Sequence, residues 1–201
     1  MIIRPHVLLV ACALAAPLAI TGCGNNVQRT DPNAVRDLSG NWNAADARLV
    51  TADMISDVLS RGWLPEFTTT AGRKPVVKVG TVVNRTSEDI STNIITDVIA
   101  QELLNSSKVR MVQSKGNTEE ARDERKDQAV NASAETKKES FQEVASDFLL
   151  SGAIETQNDQ AGSEKQKFYQ IKLTLVDVKT QENVWIRTTP VAKDINRAKY
   201  K

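Results

Sequence analysis

The stretch "PVVKVGTVVN" (75–84) decides how this chain folds. Its five valines, Val76, Val77, Val79, Val82 and Val83, leave neither side of an extended strand polar. Such a run is typical of an interior strand that is covered on both faces. We therefore place it inside a sheet.

A helix and a second strand follow this run. Residues 91–105, "STNIITDVIAQELLN", start with Ser91, a good N-cap residue, and carry apolar side chains on one helical stripe. Residues 108–113, "KVRMVQ", alternate between apolar and polar and predict a strand. Further on, Phe141, Val144 and Ala145 predict the end of another helix.

Three more strands are predicted at the C-terminal end, over 147–157, 167–180 and 183–191. The polar stretch "NDQAGSEK" (158–165) joins the first two as a hairpin loop, with Gly162 as the turn residue. Consecutive strands of this kind predict an antiparallel meander.

The N-terminal side adds a helix. Asp46 precedes "ARLVTADMISDVLS", in which apolar residues recur near a helical period, and Gly62 is a stop signal. Trp42 and Trp63 bracket this helix and are predicted to cover the core at its two ends. The fold class is therefore α/β: one small domain, a mixed sheet of about four to five strands, flanked by helices.

The N-terminus reads as a targeting segment. Arg4 precedes an apolar run over 7–20 that is short for a membrane span and contains Pro17. "ITGC", ending at Cys23, resembles a bacterial lipobox, which implies cleavage before Cys23 and its lipidation. We predict a lipoprotein signal peptide over 1–22, a short lipidated linker over 23–37 and a globular domain over 38–201. An ordinary secretory signal with a free Cys23 is the alternative.

Removal of the signal restricts the chemistry that remains. His6, the only histidine, and Cys12 leave with it, and lipidation occupies Cys23. Cys–His and Ser–His–Asp nucleophiles and zinc sites are then excluded. Carboxylate, lysine or tyrosine chemistry would remain, but no cluster has a suggestive spacing. We expect no enzyme, cofactor, metal or small-molecule substrate.

The charge is balanced. Lys and Arg number 26 against 25 for Asp and Glu, so loss of Arg4 leaves 25 of each. No basic footprint for nucleic acid is present. The local excess in 193–201, from Lys193, Arg197, Lys199 and Lys201, is interpreted as a solvated chain end.

The charged stretch "ARDERKDQAVNAS" (121–133) leaves three alternatives open. Its low apolar content favours disorder. Thr118 as N-cap, with Glu119 and Glu120 in a first turn, favours a solvated helix. Arg122 and Arg125, three residues apart on one helical face, favour a protein-binding surface.

Four stretches in order carry a family resemblance: "DLSGNWNAADARLVTADMISDVL" (37–59), "VGTVVNRTSEDIST" (79–92), "ARDERKDQAVNAS" and "DFLLSGAIETQNDQAG" (147–162). Together they resemble the LpoB-type lipoproteins, outer-membrane activators of bifunctional penicillin-binding proteins. The resemblance implies a domain similar to the TolB N-terminal domain and no catalysis. It also implies docking on an accessory domain of a glycosyltransferase/transpeptidase in the inner membrane, from a lipid anchor that faces the periplasm. Gly24, in place of the Asp of inner-membrane lipoproteins, agrees with the outer membrane.

One feature departs from this family. Its best-known members have a long Pro-rich linker, whereas the linker here reaches about 50 Å at most. The candidate partner-binding residues are those of the charged helix and two loops: Arg122, Asp123, Arg125, Asn158, Asp159, Gln160 and Arg85. An envelope structural or assembly lipoprotein with a related domain is the alternative function.

Overall fold

The structure is a computed structural model that describes residues 28–31, 34–112, 118–132 and 143–196. Its helices and strands are, in chain order, α1 (Ala44–Val58), α2 (Trp63–Ala71), β1 (Val76–Asn84), α3 (Thr92–Asn105), β2 (Arg110–Val112), α4 (Thr118–Asn131), β3 (Phe148–Ala161), β4 (Glu164–Asp177) and β5 (Asn183–Asn196). The signal segment, Cys23, Phe141 and the tail residues Arg197, Lys199 and Lys201 lie outside the described residues.

The chain divides into two compact units, Met1–Pro32 and Asn33–Lys201, and all these elements belong to the second. Its sheet has the order β2-β1-β3-β4-β5. β1 is parallel to both β2 and β3, whereas β3, β4 and β5 form an antiparallel meander. The predicted single α/β domain with a mixed sheet is confirmed, and its similarity to TolB remains a prediction.

Helices α1 and α3 contact each other and pack on one face of the sheet. In α3 the buried residues are spaced four apart, which is why one stripe of the helix faces the strands. The strands contribute alternate residues to the same core, because successive side chains point to opposite faces. The most deeply buried members are Met54, Val58, Ile95, Ile99, Val77, Leu150, Ile154, Tyr169, Ile171, Leu173 and Leu175.

β1 is interior, as predicted, but it is covered on both faces only in its first half. Val76 and Val77 are buried, whereas Val83 is 45% exposed. Val83 pairs with Ala153 on the face of the sheet away from α1 and α3. The prediction of a strand covered on both faces was therefore wrong for the end of β1.

The prediction for the first helix was wrong at both ends. α1 begins at Ala44 with Asn43 as N-cap, and Asp46 completes a capping box within the first turn. Gly62 does not stop this helix; it precedes α2, a helix that was not predicted. Trp63 is buried and donates its indole Nε1–H to the carbonyl of Val58 at 2.7 Å, which ties the two helices together.

The C-terminal hairpin differs most from the prediction. β3 and β4 pair without interruption up to Ala161 and Glu164, so Asn158, Asp159 and Gln160 are strand residues and not loop residues. The turn is only Gly162 and Ser163, where Gly162 has φ +61°, a conformation that favours glycine. Val144 and Ala145 are not helical, so the prediction that a helix ends at these two residues was wrong.

Candidate functional site: an exposed sheet face

The meander leaves one face of its sheet uncovered by α1 and α3. Alternation along β3, β4 and β5 places even-numbered residues of β4 and β5 and odd-numbered residues of β3 on this side. We call it the outer face and define it by Val83, Arg85, Glu155, Gln157, Asp159, Glu164, Gln166, Phe168, Gln170, Lys172, Ile186, Thr188, Pro190, Ala192 and Asp194, each of which is exposed.

The outer face carries two separate exposed apolar side chains on β4 and β5. Ile186 is 54% and Phe168 36% exposed, but Ile186 pairs with Thr174 and Phe168 with Ala192, so the two side chains lie about six residue pairs apart. Toward β1 the face carries an ion pair between Arg85 and Glu155, with 2.9 Å between Nη1 and Oε1. Both partners are more than half exposed, so this pair contributes little to stability.

The hairpin end of the outer face is acidic. Asp159, Gln166 and Asp194 lie in one row across three strands, and Gln166 donates its side-chain N–H to Asp194 at 2.8 Å. Glu164 lies two residue pairs closer to the turn. Within the described residues, none of these three carboxylates has a cation as salt-bridge partner. The outer face is therefore acidic where it reaches the hairpin turn.

α4 has no buried residue, so it is a solvated helix and the disorder alternative is wrong for Thr118–Asn131. Arg122 donates two hydrogen bonds to Glu143, at 2.6 and 2.8 Å. The Arg122 guanidinium, with weaker help from Arg125 and Lys78, holds the pKa of Glu143 below its usual value. Asp123 pairs with Lys126 within the helix at 2.7 Å.

A buried polar cluster closes the hairpin end of the opposite face. The ammonium of Lys193 contacts Asp37 at 2.6 Å, Asp46 at 2.5 Å and the carbonyl of Asn41 at 3.0 Å. Lys193 is 8% exposed, so its interpretation as part of a solvated chain end was wrong. Burial disfavours its charged form, but hydrogen bonds to Asp37 and Asp46 raise the pKa of Lys193 overall.

The same cluster continues through β4. Lys167, 8% exposed, contacts Glu88 at 2.6 Å and the side-chain oxygen of Asn41. The hydroxyl of the fully buried Tyr169 lies 2.8 and 2.9 Å from the two Glu88 oxygens and accepts the backbone N–H of Trp42 at 3.0 Å. Burial opposes ionisation of Glu88, but hydrogen bonds from Lys167 and Tyr169 lower its pKa. We call these residues the N-terminal clamp: Asp37, Asn41, Asp46, Glu88, Lys167, Tyr169 and Lys193.

The clamp has no evident catalytic use, since each of its charged groups is held by a partner of opposite charge. Beside it lies a cleft of about 550 Å³, which Gln160 and Lys165 help to line.

Among the described residues, no three His, Cys, Asp or Glu side chains are arranged to hold a metal ion. None of the described helices combines the length and the apolar content of a membrane-spanning segment.

The predicted partner-binding residues do not form one site. Arg85 and Asp159 lie on the outer face, whereas Asn158 and Gln160 point to the opposite face. α4 lies near the start of β3. Its Arg122 binds Glu143, Glu143 is near Lys78 of β1, and Lys78 pairs with Leu149 of β3. Leu149 precedes Asp159 by ten residues of strand, or about 33 Å. The α4 residues and the hairpin residues are thus at opposite ends of the sheet.

A family model described as the peptidoglycan-synthase activator LpoB matches residues 46–191. No curated protein sequence matches the chain. The match begins in the first turn of α1 and ends within β5, so Asp37, Asn41 and Lys193 of the clamp lie outside it.

Several solved structures are similar. The LpoB C-terminal domain from Salmonella enterica is 17% identical, with a TM-score of 0.45 over 73% of this chain and 98% of that one. The same domain from Escherichia coli is 17% identical, with a TM-score of 0.44 and the same coverage. Lipoprotein GNA1162 from Neisseria meningitidis is 11% identical, with a TM-score of 0.40 over 62% and 86% of the two chains.

Proposed function

Because this chain belongs to the family of the peptidoglycan-synthase activator LpoB, we propose that it binds and stimulates a bifunctional (class A) penicillin-binding protein and so regulates peptidoglycan synthesis. The observation that carries this proposal is the match over residues 46–191, which includes β1 to β4 whole and most of β5. Proteins of this family are non-catalytic regulators, so the chain is not an enzyme.

Stimulation without catalysis is a coupling between two equilibria. An activator raises the activity of a synthase when it binds the active conformation more tightly than the resting one. A tenfold population shift needs about 1.4 kcal/mol of differential binding. A single ordered surface of this domain can supply such a difference.

We propose further that the protein is anchored in the outer membrane by lipid on Cys23 and faces the periplasm. The support is the "ITGC" pattern behind an apolar run, and the lipoprotein character of the family. Intact mass of the mature protein should show a diacylated and N-acylated Cys23. Cys23→Ser should give a protein that is unprocessed or released from the membrane.

The partner-binding residues proposed from the sequence are Arg85, Arg122, Asp123, Arg125, Asn158, Asp159 and Gln160. Because the α4 residues and the hairpin residues are at opposite ends of the sheet, crosslinking in living cells should distinguish these two groups. A photo-crosslinker at position 122 or 125 probes α4, and one at position 159 probes the hairpin. The positions that capture the synthase identify the end of the sheet that docks.

The decisive experiment uses the purified body, residues 24–201, which contains the whole described fold. It should bind a bifunctional synthase from the same cell and increase its rate of glycan polymerisation. Absence of binding to every such synthase at about 50 μM, equivalent to a binding free energy weaker than about 6 kcal/mol, refutes the proposal. Co-purification with an outer-membrane channel instead would support the assembly function.

A further inference from the structure

We propose that residues 37–41 form a detachable strap, which leaves the hairpin end of the sheet while the rest of the domain stays folded, and so lengthens the free tether. We call these residues the strap. They connect the preceding chain with Trp42 and α1. The consequence for reach rests on the proposed lipid anchor at Cys23, whereas the opening itself is a property of the domain.

The strap buries almost no apolar surface. Leu38, its only large apolar residue, is 87% exposed, and the side chain of Asp37 is 49% exposed. Gly40, whose φ is +68°, approaches Ile195 but has no side chain to bury there. Ordering the strap costs conformational entropy, and little burial of apolar surface offsets that cost. The strap is therefore held in place by polar contacts.

Two lysines supply the charged contacts of the strap. Lys193 donates hydrogen bonds to the carboxylate of Asp37 at 2.6 Å and to the carbonyl of Asn41 at 3.0 Å. Lys167 donates to the side-chain oxygen of Asn41. Ser39 and Asn41 also line the cleft of about 550 Å³ beside the hairpin, so the strap is not packed against the hairpin along its whole length. A few hydrogen bonds thus determine whether the strap is docked.

Both lysines keep a partner of opposite charge when the strap leaves. Lys193 retains the carboxylate of Asp46 at 2.5 Å, and Lys167 retains that of Glu88 at 2.6 Å. Asp46 belongs to α1 and Glu88 to the loop after β1, so neither is part of the strap. Breaking a buried ion pair is costly mainly because it leaves one charge uncompensated. Undocking of the strap avoids that cost.

The opening has a defined limit at Trp42. The Trp42 ring contacts the ring of Tyr169, with 5.5 Å between the centroids, and its backbone N–H is donated to the Tyr169 hydroxyl at 3.0 Å. Asn43 is the N-cap of α1 and is held by that helix. The hinge therefore lies between Asn41 and Trp42. The released strap adds about 17 Å of extended chain to the tether.

Ionic strength controls this opening. The pair between Lys193 and Asp37 has one half-exposed partner, and salt screens the attraction between exposed charges. The pairs that Asp46 and Glu88 make are more deeply buried, so salt screens them less. High salt therefore favours the open strap while the rest of the domain stays folded.

Limited proteolysis by chymotrypsin at Leu38 measures the opening in the purified body, residues 24–201. Asp37 and Asn41 hold the chain on both sides of Leu38, so cleavage there requires undocking and its rate follows the population of the open strap. Asp37→Ala/Asn41→Ala weakens the strap, and Asn93→Ala/Asp97→Ala makes the same changes at exposed positions of α3 as a control. Each rate is divided by the rate for a short peptide with the strap sequence, and urea denaturation verifies that each variant folds.

We expect cleavage of the parent body at Leu38 to be nearly independent of urea below the unfolding transition, because local opening exposes little surface. An increase in NaCl from about 50 mM to about 1 M should accelerate this cleavage about fivefold. The strap variant should be cleaved about tenfold faster than the parent at low salt and should lose most of the salt dependence. The control variant should stay within about twofold of the parent.

Three results would overturn the proposal. If cleavage of the parent increases with urea as steeply as global unfolding does, or if the strap variant does not fold, the strap is a fixed part of the domain. If the parent is cleaved as fast as the short peptide, the strap is not docked at all. If the strap variant is cleaved at the rate of the parent, the two lysines do not hold the strap. Binding of a synthase plays no part in this assay, so its failure leaves the proposed function unaffected.

Discussion

Substitution of Lys193 by Met should destabilise the domain by about 3 kcal/mol. The ammonium is the cation between Asp37 and Asp46, and the Lys193 and Asp46 side chains are 7% and 10% exposed. Removing one partner of a buried ion pair costs about 3–5 kcal/mol, because it leaves the other charge uncompensated. The Asp37 side chain is 49% exposed and can be rehydrated, and Met keeps the apolar stem of the lysine. We therefore expect a loss of stability at the lower end of that range.

Urea denaturation at neutral pH measures this loss directly, with an unchanged m-value as the criterion that the unfolded state is comparable. A loss of about 3 kcal/mol corresponds to a decrease in Tm of about 6–12 °C for a domain of this size. The matched control is Lys165→Met, on the same face of β4 near the turn, since Lys165 has no salt bridge within the described residues. It should change stability by less than about 0.5 kcal/mol.

A second variant identifies the mechanism. Asp46→Asn added to Lys193→Met removes the uncompensated carboxylate but keeps an oxygen for the N–H of Asn43 in the capping box. We expect it to recover about 1–2 kcal/mol. A loss below about 1 kcal/mol for Lys193→Met, or no recovery in the double variant, would show that the clamp is solvated and that Lys193 does not compensate a buried carboxylate.

Three further predictions concern other parts of the fold. Because folding lowers the pKa of Glu88, the ionised carboxylate contributes to stability above about pH 4.5. This contribution is lost as the pH falls through the pKa that Glu88 has in the folded protein. Glu88→Gln should therefore unfold more easily at pH 7 but lose less stability between pH 5 and 3, measured by urea titrations at each pH. Gly152→Ala should cost about 1–3 kcal/mol in thermal denaturation, since a Cβ there overlaps the carbonyl oxygen of Lys172. Asn43→Ala removes the N-cap of α1 and should cost about 1 kcal/mol by urea denaturation.

The elements that the sequence predicted well are those whose burial is periodic. Residues 91–105 became α3 within one residue, because Ile95, Ile99 and Leu103 form a stripe that local spacing reveals. β1 could be recognised from its valines. In both cases the element buries residues against the core in a pattern set by its own geometry, so the sequence of the element is sufficient.

The extension of the hairpin could not be predicted by the same reasoning. Residues 158–160 are polar and look like a loop, but each pairs across to β4 and is held in a strand by that register. A long strand can leave the core and continue with both faces polar, provided that its backbone hydrogen bonds are made. Polarity therefore identified the exposed end of β3 and misassigned its conformation.

The clamp was missed for a different reason. Lys193 and Asp37 are 156 residues apart, and Lys167 and Asn41 are 126 apart. Nothing local distinguishes a lysine that will be buried from one that will be solvated, since the partners that make burial possible come from the other end of the chain. The signal present in the sequence was the alternation of the strand, which places Lys165 and Lys167 on the same side as Tyr169 and Ile171.

The clamp also bears on the reach of the domain. With lipid on Cys23, the tether that remains before Asp37 is residues 24–36, about 45 Å when fully extended. If Asp37–Asn41 were free, they would add roughly 17 Å, a gain of more than a third. Lys193 and Lys167 hold these residues against β4 and β5. These contacts stabilise the fold and shorten the free tether. The start of the domain is thus fixed by two buried lysines.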